Sequence, residues 1–187
     1  MFSEDYLMRI INQAIAALMI AIGLRKAGKF SEAQQAIQQA IEQLTTLPAN
    51  LVDQMEDSSI LSMLAAQGQL DLGRLAILAD IYQEQGEIFN NLDQPIQGSA
   101  AFARALRFIL EVVLAEDDNL STENIEKVSN LVLRLEGNSL PVETQLALSD
   151  YYLRLLEKDD RSLAAAGTSR TQVSQALAKL RSRLDPG

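Results

Sequence analysis

The chain has 187 residues, 48% of them apolar and 22% charged, with a formal charge of −9 and a pI near 4.5. That length suits one domain with a sizeable core, residues 1–187. With no histidine and no cysteine, thiol and imidazole catalysis, Ser-His-Asp arrangements, zinc sites built on nitrogen and sulfur, and a disulfide framework are all excluded.

Helix signals recur from end to end, while alternating β-branched and aromatic runs do not appear. The first helix is predicted from about Glu4 to Lys26, ended by Gly28 in the position of a C-terminal glycine. Its run Ile10 to Leu24 is apolar enough to raise the question of a signal peptide or a membrane span. Glu4 and Asp5 precede it where a signal needs positive charge, Asn12 and Gln13 interrupt it, and it is too short to cross a bilayer. The expectation is a cytoplasmic protein with no membrane partner.

Ser31 opens a second helix through about Thr45, with Ala33, Ala36, Ile37, Ala40, Ile41 and Leu44 on one stripe. Pro48 closes that hairpin. Residues 49–68 read as a polar loop leading into a short helix at about 59–67. A long helix is predicted from about Asp71 to Leu92, a turn at Asp93 to Pro95, and a further helix to about Ala115, with Pro95 at a favourable first position. Residues 116–119 form a linker. Ser121 is a good N-cap, and Leu120 and Ile125 have the spacing of a hydrophobic staple. That helix ends near Gly137, Pro141 opens another through about Lys158, and 164–169 separates a last helix from about Arg170 to Leu184. About eight helices joined by short connections make an antiparallel bundle or a short solenoid.

Two of these hairpins resemble the tetratricopeptide repeat, a 34-residue helix-turn-helix with small residues where its helices cross. In the better one Tyr82, Gly86 and Phe89 stand on the first helix, and Gly98, Phe102 and Ala105 on the second. Gly86 and Gly98 would let the two helices approach closely, with Phe89 and Phe102 filling the adjoining space. The other copy has Ala21, Gly28, Phe30, Ala33, Ile37 and Ala40, with Ala17 and Leu24 in place of aromatics. Ala33 and Gly98 are 65 residues apart, so an inserted segment separates the units. The resemblance covers about half the chain.

It implies a concave face built from the first helix of each unit, with an extended peptide or a helix as ligand. The facing positions are Ile15, Leu18, Ile22, Arg25 and Lys26 in the first unit and Asp80, Gln83, Glu87, Asn90 and Asn91 in the second. One half is apolar and the other polar. Asp80 and Glu87 would repel a peptide carboxylate, so a basic or amphipathic partner fits better than an acidic one. The first helix is apolar nearly all round, so something should cover Ile15 and Ile22: the segment Ile60 to Ala66, the last helix, a second copy in a homodimer, or a ligand. Cover from within the chain is the simplest expectation.

The last helix carries Arg170, Lys179, Arg181 and Arg183, a local charge of +4, leaving −13 for the remainder (12 basic against 25 acidic residues). Val173, Ala176, Leu177, Leu180 and Leu184 give it an apolar stripe, which suits a capping helix packed on an acidic body. Residues 166–177 also look like the turn and recognition helix of a helix-turn-helix domain, with Thr168 departing from the apolar residue expected after the glycine. The overall charge opposes nucleic acid. Asp117, Asn119 and Ser121 mimic part of a calcium loop, but no central glycine or closing glutamate follows. Neither a phosphate-cradling loop nor a dinucleotide fingerprint is present. The expectation is a non-enzymatic protein-protein interaction module that needs no cofactor or metal. A DNA-binding regulator and a carboxylate-based enzyme are the alternatives.

Overall fold

In the computed structural model, which describes residues 4–66, 69–115 and 120–184, the chain is all-α. The helices are α1 (Glu4–Lys26), α2 (Phe30–Thr45), α3 (Ala49–Gln54), α4 (Asp57–Met63), α5 (Leu72–Asn91), α6 (Pro95–Ala115), α7 (Thr122–Arg134), α8 (Val142–Glu157), α9 (Asp160–Ala165) and α10 (Arg170–Leu184). A two-residue antiparallel ribbon pairs Ala65 with Leu70 and Ala66 with Gln69. The chain divides into two compact units after Phe108, within α6.

The helix boundaries follow local chemistry. Gly28 takes a φ of +75°, donates to Arg25 O at 2.9 Å, and lets Lys29 donate to Leu24 O at 2.9 Å, so the open carbonyls at the end of α1 are satisfied. The same two bonds close α5, where Asp93 takes the left-handed position and Gln94 donates to Phe89 O. Asp71 caps α5 by accepting from Arg74 N, and Ser121 caps α7 by accepting from Asn124 N. Leu120 and Ile125 are both buried, as a staple requires.

In the first unit, α1 and α2 lie against each other through alanines. Ala14, Ala17 and Ala21 of α1 and Ala33, Ala36 and Ala40 of α2 are all buried, and side chains this small permit close helix packing. Helix α5 packs against both α1 and α2, so the hairpins that the sequence spaced apart are neighbours. A Cβ built on Gly86 would lie 2.6 Å from the Phe102 ring, and one on Gly98 would lie 3.3 Å from Gly86 O. Helices α5 and α6 therefore cross where both glycines sit, with Phe102 filling the adjoining space as expected.

Differences from expectation concentrate in the insertion. The loop expected at 49–58 folds into α3 and the first two residues of α4, and the helix expected at 59–67 ends at Met63. Two arginines explain this. Arg104 of α6 donates to Asp57 Oδ1 at 2.8 Å, Met55 O at 2.6 Å, Val52 O at 3.3 Å and Asp53 O at 3.4 Å. Its guanidinium thereby satisfies the last carbonyls of α3 and holds the start of α4. Arg74 closes α2 in the same manner, donating twice to Leu44 O.

In the second unit α10 packs on α8, with Val173, Leu177 and Leu180 buried. This is the docking expected of an amphipathic terminal helix. Arg170 donates to Asp160 Oδ1 at 3.0 Å and to Leu156 O and Lys158 O, closing the end of α8. Helix α9 is an unforeseen turn of six residues, capped by Asp159. Backbone and side-chain hydrogen bonds from Ser162 push the Asp159 carboxyl below its ordinary range. The linker expected at 116–119 lies outside the described residues.

Candidate functional site

The sequence-predicted face is drawn together by one ion pair. Arg25 at the end of α1 reaches across to Glu84 of α5, Nε to Oε1 and Nη2 to Oε2 at 3.2 Å. Glu84 is only 7% exposed. The hydrogen bond to Glu84 pushes Arg25 still further above its ordinary pKa, with Glu87 adding to the effect. A buried carboxylate is tolerated because the guanidinium binds it in a fork. Arg25 is thus paired within the chain.

The other predicted positions separate into two groups. Ile15 is 40% exposed and Ile22 half-buried, while Leu18 is buried and belongs to the core. Leu18 is therefore withdrawn from the face, because the side of α1 that carries Ile10, Ala14, Ala17 and Ala21 is the side packed inward. On α5, Asp80, Gln83 and Glu87 are half-buried and Asn90 is exposed. Helix α1 also leaves Met8, Met19 and Ile20 in water at 51%, 61% and 57% exposure. Cover over Ile15 is incomplete among the described residues, and Ile22 is half covered. Among the described residues α1 alone is long and apolar enough to cross a membrane, by length and composition, which corrects the expectation that its apolar run is too short.

Beneath this face lies a buried polar group that the sequence did not reveal. Tyr82, 2% exposed, donates to Asp53 Oδ1 at 3.0 Å and accepts from Arg104, whose guanidinium carbon also sits 5.2 Å from the Tyr82 ring centre. Burial, reinforced by Asp53, pushes the Tyr82 phenol well above its ordinary pKa. An edge-to-face contact with Phe108 at 5.9 Å fixes the ring. These groups, with Gln85, Phe89 and Ala101, line a shallow cavity of about 270 Å³.

The second unit holds a larger cavity of about 600 Å³, lined by Val128 and Leu135, Leu148 and Tyr151, and Val173 and Lys179 among others. Tyr151 is 1% exposed, and its hydroxyl has no hydrogen-bond partner among the described residues. Burial pushes its pKa upward. A buried hydroxyl without a partner costs about 1–3 kcal/mol, so Tyr151→Phe is expected to raise the thermal midpoint by about 2–12 °C. A lowered midpoint in differential scanning calorimetry would show that the hydroxyl is bonded in solution. No group of three or more acidic side chains among the described residues is placed to hold a metal ion.

At the turn before α10, Gly167 takes a φ of +71° and Ser169 Oγ accepts from Gln172 N. The segment singled out at 166–177 thus forms a turn and the start of α10, preceded by α9, but Arg170 is turned back onto α8 and Asp160.

The chain belongs to a family of unknown function, DUF6483, which matches residues 1–185. No curated protein and no solved structure matches it.

Proposed function

We propose that the chain is a non-catalytic interaction module, tetratricopeptide-repeat-like in its first unit, that holds a protein or peptide partner by noncovalent contact on the α1–α5 face. The observation that carries this reading is the packing of α5 against both α1 and α2, tied by Arg25 and Glu84. It sets the first helices of two hairpins side by side, as in a repeat array, and leaves apolar α1 residues beside acidic α5 residues. The crossing at Gly86 and Gly98 supports the repeat-like character.

A partner suited to this face offers apolar side chains toward Ile15 and Ile22 and positive charge toward Asp80 and Glu87. The DNA-binding alternative is weaker, since one of the four cations of α10 is spent on closing α8 and the chain as a whole is acidic.

The reading is tested with two fluorescent amphipathic helical peptides of equal length and apolar content, one basic and one acidic. The basic peptide should bind at least about tenfold more tightly, and Asp80→Lys with Glu87→Lys should abolish or invert that preference. Equal binding of both peptides, or a preference untouched by the double substitution, would remove the face from consideration. Circular dichroism of the variant checks that the fold persists.

A further inference from the structure

The exposed side of α1 has a symmetry that its composition alone does not show. Glu4, Met8, Ile11, Ile15, Met19, Ile22 and Lys26 follow one another at spacings of four and three residues, so they form a single stripe along the helix. Met8, Ile15 and Met19 are 51%, 40% and 61% exposed; Ile11 and Ile22 are half-buried, and Glu4 and Lys26 are exposed. The order of spacings reads the same in both directions from Ile15.

We infer that two copies of the chain pair through α1 in antiparallel orientation, with a twofold axis passing beside Ile15. This deepens the reading of α1 as part of a binding face by naming the occupant of its apolar half. In such a pair each position i faces position 30 − i of the second copy. Ile15 meets Ile15, Ile11 meets Met19, Met8 meets Ile22, and Glu4 meets Lys26. The last pairing is charge-complementary at both ends of the contact, and it places each anion at a helix start and each cation at a helix end. A parallel pair would set Glu4 against Glu4 and Lys26 against Lys26, so charge selects the antiparallel form.

The symmetric contact is self-complementary, as a twofold interface must be. With 23 residues, α1 offers a seam about 35 Å long. A bilayer is a poorer occupant for two reasons. The opposite side of α1 is built into the core through Ile10, Ala14, Ala17 and Ala21, and the chain carries −9 rather than the cationic polar face that interfacial helices present.

The absence of cysteine makes a direct test simple. Light scattering of the unsubstituted 187-residue chain at tens of micromolar should give twice 20.6 kDa. Ile15→Cys should cross-link copies through a disulfide under mild oxidation. Met8→Cys and Ile22→Cys, each alone, should not, because two copies of either position lie about 21 Å apart in the antiparallel pair. Ile15→Glu, which repeats a charge across the axis, should raise the dissociation constant on the order of a hundredfold while leaving circular dichroism unchanged.

A monomer at all concentrations overturns the inference. So does cross-linking of Met8→Cys alone, which would mean a parallel seam. A monomer whose Ile15→Cys thiol resists reagent would mean cover from within the chain, and retention by vesicles of 3:1 phosphatidylcholine and phosphatidylglycerol would mean a lipid occupant. If a monomeric chain still binds the basic peptide through Asp80 and Glu87, the binding-face reading survives and only the pairing fails.

Discussion

Replacing Arg104 by alanine is expected to destabilise the first unit by about 3–5 kcal/mol, the range for breaking a buried ion pair from one side. The side chain is 17% exposed and serves five acceptors: the Asp57 carboxylate, three carbonyls at the end of α3, and the Tyr82 hydroxyl. Alanine leaves Asp57 without its cation and exposes the α3 carbonyls to unsatisfied burial. Lysine should restore only a minor part, because an ammonium cannot present a planar fork to acceptors on several sides. Urea denaturation followed by far-ultraviolet circular dichroism measures the loss. Limited proteolysis should localise it, with new cleavage within residues 49–63. A variant within 1 kcal/mol of the parent, or cleaved elsewhere first, would show that the insertion is held by packing alone.

Gly86→Val is expected to cost about 3 kcal/mol, the upper end of overpacking in a filled core. Three atoms of the Phe102 ring lie 2.6, 2.7 and 2.8 Å from an ideal Cβ at Gly86, and a ring that is 2% exposed has no free space to enter. The gain in helix propensity on leaving glycine, about 0.5 kcal/mol for valine, is too small to offset the overlap. Phe102→Ala alone should cost about 3–5 kcal/mol through the cavity it leaves. Combined, the two should cost less than their sum by about 1–3 kcal/mol, since the valine then occupies vacated space. Strict additivity in chemical denaturation would mean that the two positions do not meet.

The crossing of α5 and α6 was legible because its signal is local and chemical: a glycine on each helix, and an aromatic at helical spacing from one of them. The capped ends at Gly28 and Ser121 were legible for the same reason. The insertion was not. Asp53, Glu56, Asp57 and Ser58 look like a solvated loop, yet Asp53 and Asp57 take up Tyr82 and Arg104 from sequence positions 29 and 47 residues away. Helix α9 is too short for its periodicity to be recognised. On α1 the difficulty is of another kind. A helix apolar on almost every side has no strong moment to orient it, so Leu18 could not be told from Ile15, although one is buried and the other half in water. The pairing of Arg25 with Glu84 was not legible, because the two lie 59 residues apart.

Arg74, Arg104 and Arg170 finish helices to which they do not belong, and this gives the fold an order in time. During synthesis the Leu44 carbonyl at the end of α2 stays open until a residue 30 positions later has emerged, and α3 waits about 50 positions for Arg104. The α1–α2 hairpin is therefore an incomplete object when it leaves the ribosome. Each arginine acts as a latch that later chain throws on earlier chain, so the first unit becomes cooperative only once α6 has arrived.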